Sequence, residues 1–144
     1  MPLITLTYAT PGASKPQRGA IAATASHLSS AILGKDPNVT AVIVTESSAE
    51  DWFCGGQSLA DAKLASFWLD IHVTDGTNTK DEKAAFVAAV FKAMRELLGP
   101  LHNESYVHVH DVRADAYGYG GLTQERRYVA GKLTGKLTGE TAAA

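Results

Sequence analysis

The chain has 144 residues, of which 45% are hydrophobic and 19% charged, with a formal net charge of −2. That balance describes an ordinary folded domain and argues against a nucleic-acid partner, because phosphate backbones attract surplus Lys and Arg. No apolar run reaches bilayer length and the start is too short and uncharged for a signal peptide. A lone Cys54 leaves neither an internal disulfide nor the cysteine clusters of structural zinc, so a cytoplasmic location with no membrane partner is expected.

The first element is a strand over residues 3–8, where apolar residues alternate with Thr as on a half-buried ribbon. Ser14-x-x-Gln17 reads as a capping box, with Pro16 tolerable inside the first turn. The helix it opens runs through Ile21, Ala25, Leu28 and Ile32 and stops at Gly34. A β-branched strand follows over 39–45, then Phe53-Cys54-Gly55-Gly56, whose glycines read as turn residues with positive φ. From residue 67 the same grammar returns. A strand spans 67–73, a capping box is formed by Thr79-x-x-Glu82, and a helix runs through Phe86, Val90 and Leu97 to a stop at Gly99-Pro100. A strand over 106–112 and Gly120-Gly121 complete the copy.

The two copies hold a fixed register of 65 residues: Ser14 to Thr79, Gly34 to Gly99, Gly55 to Gly120 and Gly56 to Gly121. Half a chain of that size buries too little apolar surface alone, so both halves, 1–65 and 66–130, are expected to share one core in a single domain, 1–130. The doubled Lys-Leu-Thr-Gly of 131–144 shows no amphipathic period and reads as a weakly ordered tail. Two strand-helix-strand units with right-handed crossovers give an α/β (α+β) fold with a four-stranded sheet and both helices on one face.

The other sheet face then needs a cover. Trp68, Asp70 and His72 point away from Leu69 and Ile71, while Tyr106, His108 and His110 point away from Val107 and Val109. A face carrying Trp, Tyr and several His is expected to pack against other subunits.

Met1-Pro2-Leu3-Ile4, the β-α-β unit behind it, and Val44-Thr45-Glu46 leading to Trp52-Phe53-Cys54-Gly55-Gly56 resemble the 4-oxalocrotonate tautomerase pattern. Ile71-His72-Val73-Thr74-Asp75-Gly76 and the run from Asp111-Val112-Arg113 to Tyr119-Gly120-Gly121 resemble it again. Two fused copies are similar to the larger members of the tautomerase superfamily, including the cis-3-chloroacrylic acid dehalogenase subgroup. The resemblance implies a tandem β-α-β fold of the tautomerase or MIF-like type, assembled as a homotrimer. It also implies an isomerase, a keto-enol tautomerase with dehalogenase or hydratase chemistry as a side activity, acting on a small-molecule acid substrate without a cofactor.

Pro2 is the candidate catalytic residue. With Met1 excised it presents a secondary amine in a direction fixed by its ring, and burial in an apolar pocket would favour the neutral base. Such an amine can take a proton from carbon beside a carbonyl and return it elsewhere. In the same register Pro2 falls on Phe67, so only one half can carry this chemistry.

The arginines that the resemblance places after the first loop and on the second strand are absent, their positions matching Gly12 or Ala13, Ala41, Thr77 and Tyr106. A carboxylate thereby loses its most directional partner. Candidate substrate-binding residues are His27, aligned with a histidine near the substrate of the cis dehalogenase, and His108, aligned with its catalytic tyrosine. Tyr119 falls near its catalytic glutamate, Arg113 lies in the loop before the glycine turn, and Trp52 and Tyr117 are the two copies of the aromatic wall, either able to line the Pro2 pocket. Loss of the glutamate argues against dehalogenation. The alternative function is a trimeric small-molecule-binding protein of the same fold with weak catalysis or none.

His72, His108 and His110 could share one sheet face, and His-x-His on a strand is a spacing that metal sites use. Histidines at an interface can also satisfy one another, and no metal is expected. Cys54 reads as a small buried hydrophobe rather than a nucleophile.

Overall fold

A computed structural model describes residues 2–12 and 15–143, the side chains of 135–143 excepted. In chain order the elements are β1 (Leu3–Ala9), α1 (Arg18–Leu33), β2 (Ala41–Glu46), β3 (Phe53–Cys54), β4 (Gln57–Ser58), α2 (Leu59–Ala62), β5 (Ser66–Thr74), α3 (Lys80–Leu98), β6 (Tyr106–Val112), β7 (Gly118–Tyr119), β8 (Leu122–Thr123) and α4 (Gln124–Ala143). A single 3-10 turn, Pro37–Val39, precedes β2 and takes residue 39 out of the strand expected there.

The four long strands form one sheet in the order β2-β1-β5-β6. β1 and β2 are parallel, as are β5 and β6, and the two units meet through an antiparallel central pair that sets Leu3 against His72 and Tyr8 against Phe67. The sheet therefore has approximate twofold symmetry between the halves. The alternation expected in the strands holds: Ile4, Leu6 and Tyr8 of β1 and Phe67, Leu69, Ile71 and Val73 of β5 are buried on one face. Ile21, Ala25 and Leu33 of α1 and Phe86, Val90, Met94 and Leu98 of α3 complete that single core. Both helices thus cover one face, and α1 also packs on α3.

α3 begins as expected, with the Thr79 hydroxyl accepting from the Glu82 amide at 3.1 Å and the Glu82 carboxylate accepting from the Thr79 amide at 2.7 Å. α1 begins differently. Its N-cap is Gln17, extended at φ −79° and ψ 122° and making no side-chain cap bond, while Ser14 lies outside the described residues. Pro16 disfavours helical backbone at Lys15, so the helix cannot start before it. Gly34 closes α1 in the left-handed region at φ 69°.

α4 begins at Gln124 and runs on through most of the tail to Ala143. Its Ala, Lys, Leu and Glu residues favour helix without forming an apolar stripe, which is why periodicity gave no sign of it. No helix among the described residues is long and apolar enough to cross a membrane.

The uncovered sheet face consists of three rows running across the strands: Ala41, Leu3, His72 and His110; Ile43, Thr5, Asp70 and His108; Thr45, Thr7, Trp68 and Tyr106. Leu3, Ile43, Trp68 and Tyr106 are between 42% and 53% exposed there.

Candidate functional site

Pro2 is buried at the entry to β1, its carbonyl accepting from the Ala41 amide at 3.3 Å. It lines a cavity of about 210 Å³ closed by the second-half hairpin, with Tyr117, Gly118, Tyr119 and Gln124 opposite Leu3 and Ala41. The hairpin reaches this place because β1 and β5 are antiparallel, so the end of the second unit lies beside the start of the first.

Local sequence fixes the hairpin. Gly120 and Gly121 both have positive φ, 60° and 81°, the conformation that a two-residue turn between right-twisted strands requires. At Gly118 a Cβ would lie 1.9 Å from the Leu122 carbonyl oxygen, so only glycine permits the approach of β7 to β8. The Tyr117 hydroxyl and the Thr74 hydroxyl share a 2.6 Å hydrogen bond, which ties the hairpin to the end of β5. The Gln124 amide donates to the Tyr117 carbonyl at 3.0 Å, and the Thr123 hydroxyl caps α4 by accepting from the Arg126 amide at 3.1 Å.

Two polar groups beside the cavity stand out. The side-chain nitrogen Nε2 of Gln124 is buried and has no hydrogen-bond partner among the described residues. Arg127 sits one helical turn further on, its guanidinium carbon 3.8 Å from the centre of the Tyr119 ring and its Nη2 donating to the Tyr119 carbonyl at 2.8 Å. A second cavity of about 600 Å³ lies behind this wall, shares Tyr119 and Gln124 with the first, and is lined also by Thr74, Asp75 and Arg127. The site therefore offers an apolar, aromatic enclosure, one free amide donor and a cation held just outside.

Of the candidates read from the sequence, the structure brings Tyr117 and Tyr119 to Pro2. Trp52, the other copy of the aromatic wall, packs with Ala9, Ala49, Cys54 and Leu59 beyond the opposite end of β1. His27 is exposed on α1 and His108 is exposed on the uncovered sheet face. Arg113 turns to Asp115, Nε and Nη2 donating to its carboxylate at 3.1 and 3.0 Å. That pairing holds the Asp115 carboxyl below its ordinary range and the guanidinium above its own, so Arg113 is spent on a neighbour two residues away.

Gln124 and Arg127 were missed. The repeat register contains a signal for both: Gln124 corresponds to Leu59 (124−59 = 65) and Arg127 to Ala62 (127−62 = 65). Leu59 is fully buried. A glutamine and an arginine thus stand where the sister copy has Leu and Ala.

A third cavity, of about 470 Å³, lies past the end of β1, among Thr10, Lys15, Arg18, Glu46 and Ser47. Its cations are already engaged, Lys15 and Arg18 both pairing with the Glu46 carboxylate. Cys54 is buried, and burial followed by the charge of Glu104 pushes its thiol pKa up, away from a reactive thiolate.

The family described as tautomerase enzyme matches residues 68–127, the second unit with the hairpin that closes over Pro2. No curated protein matches the chain. Among solved structures, Pt0534 inactivated by 2-oxo-3-pentynoate superposes with a TM-score of 0.72 at 18% identity, over 87% of this chain and 98% of that one. A fused 4-OT, solved as a symmetric trimer, gives 0.71 at 20% identity over 85% and 96% of the two chains. The macrophage migration inhibitory factor-like protein of Entamoeba histolytica gives 0.67 at 18% over 85% and 97%. The tautomerase model thus matches the second unit, and the fold of the fused 4-OT structures runs through both β-α-β units of this chain.

Proposed function

We propose that the chain is a keto-enol tautomerase in which Pro2, as the amino-terminal residue after removal of Met1, is the general base and acid toward a small keto, enol or unsaturated carboxylic acid. The observation that carries this reading is the burial of Pro2 in an aromatic cavity facing an unpartnered Gln124 side-chain N–H. A secondary amine in such surroundings is favoured neutral. It removes a proton from the carbon beside a carbonyl, the C–H electron pair becomes the C=C bond as the carbonyl π pair moves to oxygen, and the prolinium returns its proton to that oxygen; the reverse sequence converts an enol to the ketone. In this reading the Gln124 side-chain N–H donates to the oxygen on which negative charge grows. Arg127 supplies positive charge from behind Tyr119.

The uncovered face is the surface we assign to a homotrimer, as in the fused 4-OT solved as a symmetric trimer, and the lone buried Cys54 suits a reducing cytoplasm. A second reading, a trimeric binding protein of the same fold with little catalysis, is favoured by one observation: no guanidinium lines the Pro2 cavity, so a carboxylate is held without an arginine fork.

The test is intact-mass analysis of the full chain before and after 2-oxo-3-pentynoate or a halopropiolate, with the adduct located and its rate followed against pH. Loss of Met1, a single adduct on Pro2 and a rate midpoint below that of a free prolyl amine are expected. A retained Met1 or an inert Pro2 would leave the binding protein as the answer.

A further inference from the structure

We propose that the uncovered sheet face carries a binding site for a divalent transition-metal ion such as Zn²⁺, one per chain, with Asp70, His108 and His110 as ligands. The parallel pairing of β5 with β6 puts Asp70 beside His108 and His72 beside His110. All four side chains point away from the core. His110 Nε2 lies 2.7 Å and His108 Nδ1 3.5 Å from the same Asp70 oxygen, Oδ1, and the three ligand atoms all lie within 4.8 Å of one another. Tetrahedral zinc with N and O bonds near 2.0–2.1 Å sets its ligands ~3.4 Å apart. His108 already meets that spacing against Asp70, and His110 reaches it by opening its hydrogen bond by under 1 Å.

The donors are also held in place. The His110 ring stacks on His72 with centroids 4.6 Å apart and planes 12° from parallel. His108 is met edge-on by Trp68 at 6.2 Å and by Tyr106 at 5.9 Å. The Asp70 side chain is 19% exposed, whereas those of His108 and His110 are 48% and 42% exposed, so the carboxylate forms the floor and the imidazoles the rim. Two imidazoles and one carboxylate suit zinc, copper or nickel over magnesium or calcium, and the remaining coordination positions face outward from the sheet, toward the subunits of the proposed trimer.

Among the described residues one other trio, Cys54, His102 and Glu104, has comparable spacing. Its thiol is disfavoured as thiolate and His102 Nδ1 already accepts from the Glu104 amide at 3.0 Å, so it is the weaker ligand set and serves as the internal control.

The experiment uses the full chain stripped with a chelator and titrated with Zn²⁺ alone by calorimetry, and with Co²⁺ by absorption. One ion per chain is expected. Affinity should fall at least tenfold in H108A, H110A and D70N but stay unchanged in C54S, and bound Co²⁺ should show no thiolate charge-transfer band. Histidine ring NMR of the unaltered protein supplies a readout independent of any variant's folding: signals of His108 and His110 should move on adding Zn²⁺ while those of His27 and His102 stay. No saturable binding, movement of His102, loss of binding in C54S, or fewer than one ion per chain overturns the proposal.

Discussion

Arg127 holds Tyr119 twice, with its guanidinium over the ring and a hydrogen bond to the same residue's carbonyl. One side chain on α4 thereby fixes both the aromatic wall and the backbone of β7 that closes over Pro2. Replacing Arg127 with Ala should cost about 1 kcal/mol of stability, within the range of a partly exposed cation–π contact, and slow modification of Pro2 by roughly tenfold. R127K keeps the charge without the planar fork and should fall between the two. Thermal melts and labelling rates on the three proteins decide it; equal labelling rates would show that Tyr119 needs no support.

Gln124 has a buried donor that no group among the described residues satisfies. An unmet buried N–H costs about 1–3 kcal/mol, so Q124L, which copies Leu59 of the other half, should match or exceed the parent in stability. Turnover of an enol acid should fall about 10²-fold, the usual loss when one oxyanion donor is removed. Opposite signs in a urea titration and in kcat identify the residue as functional; a joint loss would mark it as structural.

Gly118 and Gly131 should respond oppositely to the same substitution. G118A drives its Cβ into the Leu122 carbonyl oxygen and is expected to lose about 2–3 kcal/mol and most Pro2 reactivity. At Gly131 on α4 a Cβ meets nothing within 4 Å, and G131A should gain about 0.5–1 kcal/mol of helix stability. Helix content by circular dichroism, with melting temperature, reads both.

The capping box at α3 gives a signed pH dependence. The Thr79 amide, then its hydroxyl, holds the Glu82 carboxyl pKa below its ordinary 4.5. A depressed folded value means the contribution is complete above the unfolded pKa and disappears as pH falls through the folded one. Urea midpoints between about pH 7 and pH 3 should therefore drop less steeply in E82Q, whereas T79A should cost about 1 kcal/mol throughout.

Ile43 lies midway along the edge strand β2, on the uncovered face, with 53% of its surface exposed. A charge there cannot be buried without a partner, so I43E should convert the proposed trimer to smaller species while leaving far-ultraviolet dichroism unchanged. Sedimentation equilibrium settles the point, and an unaltered mass would place the assembly surface elsewhere.

Much of this architecture was legible because period-2 alternation is a direct imprint of a sheet with one buried face. Residues 106–112 were delimited correctly, and Leu69 and Ile71 were assigned to the core side. The glycine pairs became two hairpins because paired positive φ has little other use. Less legible was anything decided by contact between the halves. Tyr117 and Trp52 look equivalent in one dimension, and only the antiparallel β1–β5 pairing sends the first to Pro2 and leaves the second at the far end. The helical reach of α4 has no periodic signature in the sequence, because its helix propensity comes without an apolar stripe.

That central pairing makes the halves mutually dependent. Trp52 and Leu59 of the first pack at Ala9, where β1 ends beside the start of β5, and Tyr117 of the second guards the start of β1. Neither half expressed separately would own both its strand ends and their covers. The linker near Lys63 is therefore more than a tether. By making two unequal halves one molecule it guarantees that every aromatic lid finds its proline in one-to-one ratio, leaving the proline-free end to diverge without forfeiting the other.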